Sequence, residues 1–162
     1  MLEAEQMLYR IEGAVTPGSD GRRNPGFVHF LSGMSIQVEP DDIGRLRSVQ
    51  IYRPSEGVRV LYRGVSLFET PADDLMRILA AEGRLDIEDD GLFVVAPDLY
   101  MSFVRDTLAD GLDDNGRYFE SLLMARPGYG DRYERSVWPS GELAAPVVGD
   151  VRVMDPDQGS LF

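Results

Sequence analysis

Cysteine is absent from the 162 residues, so no disulfide, thiolate metal site or cysteine nucleophile can be built. Lysine is absent too. All 16 basic residues are arginine, which excludes a Schiff-base lysine and the lysine of a phosphate-binding loop. His29 is the single histidine. With neither a second imidazole nor a thiolate, the usual zinc and copper sites cannot form. A serine triad would have to use His29 as its base, and no serine occupies a Gly-x-Ser-x-Gly elbow. His29 lies in a short apolar run and reads as a strand residue. No apolar run approaches the ~18 residues of a membrane-spanning helix. The N-terminus lacks the basic, apolar and small-residue zones of an export signal. The expectation is a cytoplasmic protein with no metal and no cofactor.

What is present is an ordinary globular mixture, 43% hydrophobic and 27% charged. The length suits one domain with a core that needs no covalent staple. The net charge of −12 is unevenly spread. Residues 1–68 balance 8 acids with 8 arginines, whereas residues 69–116 set 13 acids against 3 arginines, a net −10. Residues 117–162 carry a net −2. This sign opposes direct nucleic-acid binding. It suits either a solvated surface or the steering of a basic protein partner. The candidate partner-binding acids are Asp86, Glu88, Asp89, Asp90, Asp110, Asp113 and Asp114.

The hydrophobic pattern predicts an α+β fold: an antiparallel sheet of about five to seven strands with one main helix, residues 71–82, packed on it. Leu2, Met7, Leu8 and Ile11 mark a short helix within 1–12, and glycine, proline and asparagine make 13–26 a loop. Alternation then places strands near 27–31, 34–38, 48–51 and 58–62, joined by short turns as a meander. For the main helix, Thr70 is the expected cap and Pro71 the first residue. Ala72, Leu75, Met76 and Leu79 form its apolar stripe, and Gly83 its stop. Further strands are expected at 85–87, 92–95, 99–103 and 118–124, with an acidic loop over 105–116. Residues 1–137 thus read as one domain. Residues 138–162 form an extension, in which Trp138 pins the chain, 145–154 holds one edge strand or none and Asp155 to Phe162 form a mobile tail. A free edge near Val147–Val153 would leave room for a homodimer.

Three chemistries can be weighed from motifs. Gly111, Asp113, Asn115 and Gly116 superficially follow a calcium loop, but position one is Gly111 and position twelve Leu122, so an EF-hand is rejected. Gly128-Tyr129-Gly130 lacks the third glycine of a dinucleotide site and reads as a turn. The paired acids Asp41–Asp42, Asp73–Asp74, Glu88–Asp90 and Asp113–Asp114 could serve a magnesium-dependent hydrolase. Most sit in turns or at a helix start, where acids are favoured locally.

Two stretches carry resemblances. Tyr62-Arg63-Gly64-Val65-Ser66-Leu67-Phe68, Thr70-Pro71-Ala72-Asp73-Asp74-Leu75 and Tyr118-Phe119-Glu120-Ser121-Leu122 resemble a loose group of uncharacterised bacterial proteins. Some of these are similar to immunity proteins of polymorphic-toxin systems. The resemblance spans roughly residues 26–125. It transfers no active site, and it implies a non-enzymatic inhibitor that binds a toxin, for which the acidic middle block would suit a basic nuclease. The tail Gln158-Gly159-Ser160-Leu161-Phe162 resembles the peptide by which bacterial replication and repair proteins enter the sliding clamp. That likeness implies clamp binding through Gln158, Ser160, Leu161 and Phe162. The leading expectation is an immunity-like protein-binding module, with the clamp-bound accessory protein and the carboxylate–magnesium hydrolase as alternatives.

Overall fold

The structure, a computed structural model, describes residues 3–16, 25–108, 116–129, 151–155 and 159–160, the last two stretches through their backbone alone. After the short helix α1 (Glu3–Leu8) the chain enters β1 (Phe27–His29), β2 (Ser35–Pro40) and β3 (Leu46–Tyr52), an antiparallel meander as predicted. The next strand departs from that expectation. β4 (Arg59–Tyr62) does not fold back on β3. It pairs instead with β5 (Val65–Ser66) and with β10 (Val151–Asp155) in a second sheet. The slot beside β3 is taken by β9 (Ser121–Ala125), reached through β6 (Asp86–Glu88), β7 (Phe93–Ala96) and β8 (Met101–Val104). The first sheet is therefore seven antiparallel strands in the order β1-β2-β3-β9-β8-β7-β6.

The register explains why these strands choose one another. Reading across the ladder, Val28, Ile36, Ile51, Leu122, Phe103, Val94 and Ile87 stand side by side on one face. A second row runs Val38, Val49, Met124, Met101 and Ala96. Because side chains alternate with period two, a slip of one residue would turn both rows to the opposite face. From Val28 to Val94 the first row is at most 4% exposed, whereas Ile87 at the far edge is 55% exposed.

The helix α2 (Ala72–Ala80) contributes to the same core, with Ala72, Leu75 and Leu79 fully buried. Each buried leucine contributes about 2 kcal/mol of apolar transfer. The helix start differs from the sequence reading: Pro71 is the cap residue, and no side chain caps the first turn. Thr70 instead donates its backbone amide to Ser66 O at 3.3 Å, and Ala72 N donates to Arg117 O at 2.8 Å. A backbone carbonyl from a distant loop thus takes one of the free helix amides. Gly83 N still closes the helix on Leu79 O. A Cβ on Gly83 would lie 2.9 Å from Asp98 Oδ2, the oxygen that accepts from Arg84 N at 2.8 Å.

The second sheet runs β11-β10-β4-β5, where β11 is Gly159–Ser160. Arg63 (φ 49°) and Gly64 (φ 84°) form the two-residue turn between β4 and β5, which requires positive φ at both positions. Val60 and Tyr62 of β4 join the core cluster of the first sheet. Tyr62 OH donates to Glu82 Oε2 at 3.1 Å, and Arg63 Nη1 meets the same oxygen at 2.9 Å, tying the second sheet to the end of α2. The strand near 145–154 is present as β10, but it lies between β4 and β11 rather than at an edge. Trp138 and residues 147–150 lie outside the described residues.

Replacing Leu75 by alanine should cost about 3 kcal/mol, within the usual cavity range for a fully buried leucine. Urea unfolding read by circular dichroism measures it. By contrast, Ala80→Ser on the exposed face of α2 should shift stability by less than about 1 kcal/mol.

Candidate functional site

The strand directions bring several connections to one end of the first sheet: the 3-10 turn Asp89–Gly91 between β6 and β7, the loop that follows β8, and its return into β9. Arg105, one residue past β8, joins them. Its backbone N donates to Leu92 O at 2.9 Å, continuing the β7–β8 ladder. Its side chain is 5% exposed. Nε donates to Gly91 O at 2.8 Å, Nη1 to Gly116 O at 3.1 Å, and Nη2 to Asp73 Oδ1 at 3.3 Å. The guanidinium also sits 5.9 Å from the Phe119 ring centre. A charge this deep is tolerated because three directions of the guanidinium fork meet oxygen and one face meets an aromatic ring. The two glycines are needed for the approach. A Cβ on Gly91 (φ +95°) would lie 2.7 Å from Arg105 Nη2. One on Gly116 (φ +75°) would collide with the Thr107 carbonyl and stand 2.6 Å from Leu108 C.

One acidic side chain, Asp73, meets this buried cation, and further acids lie close in sequence to its carbonyl partner Gly91 and to Arg105 itself. Glu88, Asp89 and Asp90 are exposed and have no ion-pair partner among the described residues. Asp89 (φ 48°) and Asp90 (φ 56°) hold left-handed backbone, a conformation aspartate tolerates better than most residues. Asp86 is half-buried and meets Arg84 Nη2 at 2.9 Å, so part of its charge is offset. Asp110, Asp113 and Asp114 lie outside the described residues. Gly116 lies against Thr107 and Leu108. The sequence reading missed two members of this end: Asp73, 76% exposed on the first turn of α2, and the exposed Asp106. The acidic loop composition contained Asp106, but the placement of Asp73 depends on Arg105.

The other candidates are placed elsewhere. His29 is exposed on β1, its Nδ1 2.8 Å from Ser35 Oγ on the neighbouring strand and its ring edge-on to Phe27 at 4.8 Å. Asp41 Oδ1 accepts from the amides of Ile43 and Arg45 at 3.1 and 2.8 Å, and its Oδ2 meets Arg126 at 3.4 Å, which makes it a turn-forming residue. Asp41 and Asp42 line a polar cleft of about 210 Å³ with Arg47, Arg126, Pro127, Gly128 and Tyr129. Within it, Arg47 stacks on the Tyr129 ring at 4.7 Å and meets Glu39 at 3.4 Å, while Ser48 and Tyr129 also donate to Glu39. Among the described residues, no three histidine, aspartate or glutamate side chains gather to hold a metal ion. Ser160 of the C-terminal motif belongs to β11, its backbone opposite Met154, and Gln158, Leu161 and Phe162 lie outside the described residues.

No protein-family model, no curated protein and no solved structure matches this chain. Its function is therefore argued from its own residues.

Replacing Arg105 by methionine keeps the length of the side chain but leaves the Gly91 and Gly116 carbonyls unanswered. We expect a loss of about 3 kcal/mol in chemical unfolding. A second expectation concerns pH. Burial first, then the Glu82 carboxylate, raises the Tyr62 hydroxyl above the ordinary tyrosine range, against the opposing Arg63. Burial also raises Tyr129, helped by Glu39 and opposed by Ser48 and Arg47. The folded state holds both protons more tightly than the unfolded chain. Their contribution is thus complete below the ordinary value of about 10 and is lost as pH rises through the raised folded values. Ultraviolet titration of tyrosinate should show late ionisation that is reduced in Tyr129→Phe.

Proposed function

We propose that this chain is a non-enzymatic protein-binding module, immunity-like in its action, that presents the acidic end of its seven-stranded sheet to a basic partner protein. One observation carries the reading: Arg105 joins Asp73, the carbonyl of Gly91 beside the Asp89–Asp90 turn and the carbonyl of Gly116 at one end, with Asp106 next to it in sequence. On this reading the acids at 73, 88–90 and 106, dispersed in sequence, act as one acidic surface. Such a surface raises the encounter rate with a cation-rich partner and rejects nucleic acid. Among the described residues no helix is long and apolar enough to cross a membrane. A toxin domain of basic charge, such as a nuclease, is the partner class that both the surface and the sequence resemblance favour.

The test is neutralisation without backbone change. Asparagine tolerates left-handed backbone, so Asp89→Asn and Asp90→Asn keep the turn, and Asp86→Asn and Glu88→Gln complete the set. Calorimetric binding of a basic toxin domain should weaken by at least about tenfold in this variant, with a flatter salt dependence. Neutralising Glu12, Asp41, Glu56 and Glu69 instead should leave affinity within about twofold. Equal losses in the two variants would reduce the effect to net charge and remove the site.

A further inference from the structure

Among the described residues, the edge of the sheet beside the acidic turn has a hydrogen-bonding side that no strand pairs. Arg105 N donates to Leu92 O, and Glu120 N to Val104 O. In antiparallel strands the backbone groups of successive residues point to alternate sides. Leu92 and Val94 therefore face β8, while Phe93 and Val95 face β6. Their partners on β6 are Glu88 and Asp86. Ile87, between them, turns its N–H and C=O away from β7, to the outer edge where the sheet order ends. Its side chain continues the apolar row of the core and is 55% exposed, although its neighbour Val94 is fully buried.

Resting on the reading above, we propose that β6 is the docking edge: the basic partner adds an extended strand that pairs its backbone with Ile87. That strand would place an apolar side chain beside Ile87, prolonging the core row, and arginine or lysine side chains beside Asp86 and Glu88 on the opposite face. Charge selects this occupant over a second copy of the chain. Antiparallel self-pairing about Ile87 would set Asp86 against Glu88 of the other copy, a like-charge contact on both sides. The same acids bar neutral strands, the usual way in which an edge is kept from indiscriminate pairing.

The experiment uses the full chain and two fluorescent nine-residue peptides of equal charge, one alternating arginine with valine and one alternating arginine with glycine. Valine favours the extended strand and glycine does not. Anisotropy should show the arginine–valine peptide binding at least about tenfold more tightly. Ile87→Pro removes the outward N–H and the isoleucine side chain, while the ladder to β7, bonded through Asp86 and Glu88, survives. This variant should lose that preference while keeping a thermal midpoint close to that of the unchanged protein. A second measurement avoids any question of folding: methylating alternate amides of the arginine–valine peptide should abolish its advantage on the unchanged protein. Equal binding of both peptides, unaffected by Ile87→Pro, overturns strand addition but leaves the acidic surface standing. Binding of neither peptide also overturns it, and the reading beneath is then judged by the neutralisation experiment. Self-association of the chain alone that Ile87→Pro abolishes would assign the edge to a second copy instead.

Discussion

The buried guanidinium of Arg105 is the contact on which the described architecture turns. An isolated cation in a core is strongly unfavourable, so its position dictates that oxygen atoms come to it. Those oxygens belong to the β6–β7 turn, the return from the β8–β9 loop and the first turn of α2. Three connections that strand direction and core packing bring to one end of the sheet are thereby tied to a single group. The cost is conformational: Gly91 and Gly116 both adopt positive φ, and both stand where a Cβ would collide.

The two sheets and α2 are held by a different kind of force. The transverse rows of Ile36, Ile51, Leu122, Phe103 and Val94 make a continuous apolar face, and Ala72, Leu75, Leu79, Val60, Tyr62, Leu67 and Phe68 complete the cluster. The polar clip at Glu82, shared by Tyr62 and Arg63, then sets how the second sheet meets the helix. Hydrophobic burial supplies most of the stabilisation, and the hydrogen bonds choose among packings that would bury similar area. The surface ion pairs contribute little by comparison.

The functional proposal follows from how these forces leave the surface. Arg47, Arg126 and the carboxylates at the opposite end neutralise one another within the Glu39–Tyr129 cluster. At the Arg105 end the cation is buried against Asp73, while Glu88, Asp89 and Asp90 are exposed with no ion-pair partner among the described residues. The proposed basic partner would meet these exposed carboxylates rather than the paired ones.

Much of the fold was legible in the residues. Period-two alternation marked β2, β3 and β4, and the three-and-four spacing of Ala72, Leu75 and Leu79 marked α2, because these patterns report only which side of an element is buried. The charge block at 69–116 was equally plain. The departure of β4 to a second sheet was not legible. Nor were the backbone carbonyl of Arg117 in place of Thr70 as the partner of the helix start, the inner position of β10, or the burial of Arg105 inside a stretch that reads as an acidic loop. Each depends on a partner distant in the chain. By itself, then, the sequence determined the class of fold, the buried face of each element and the sign of the surface. Tertiary structure decided which strands pair and which acids gather, since registers and carbonyl clusters exist only once remote segments are brought together.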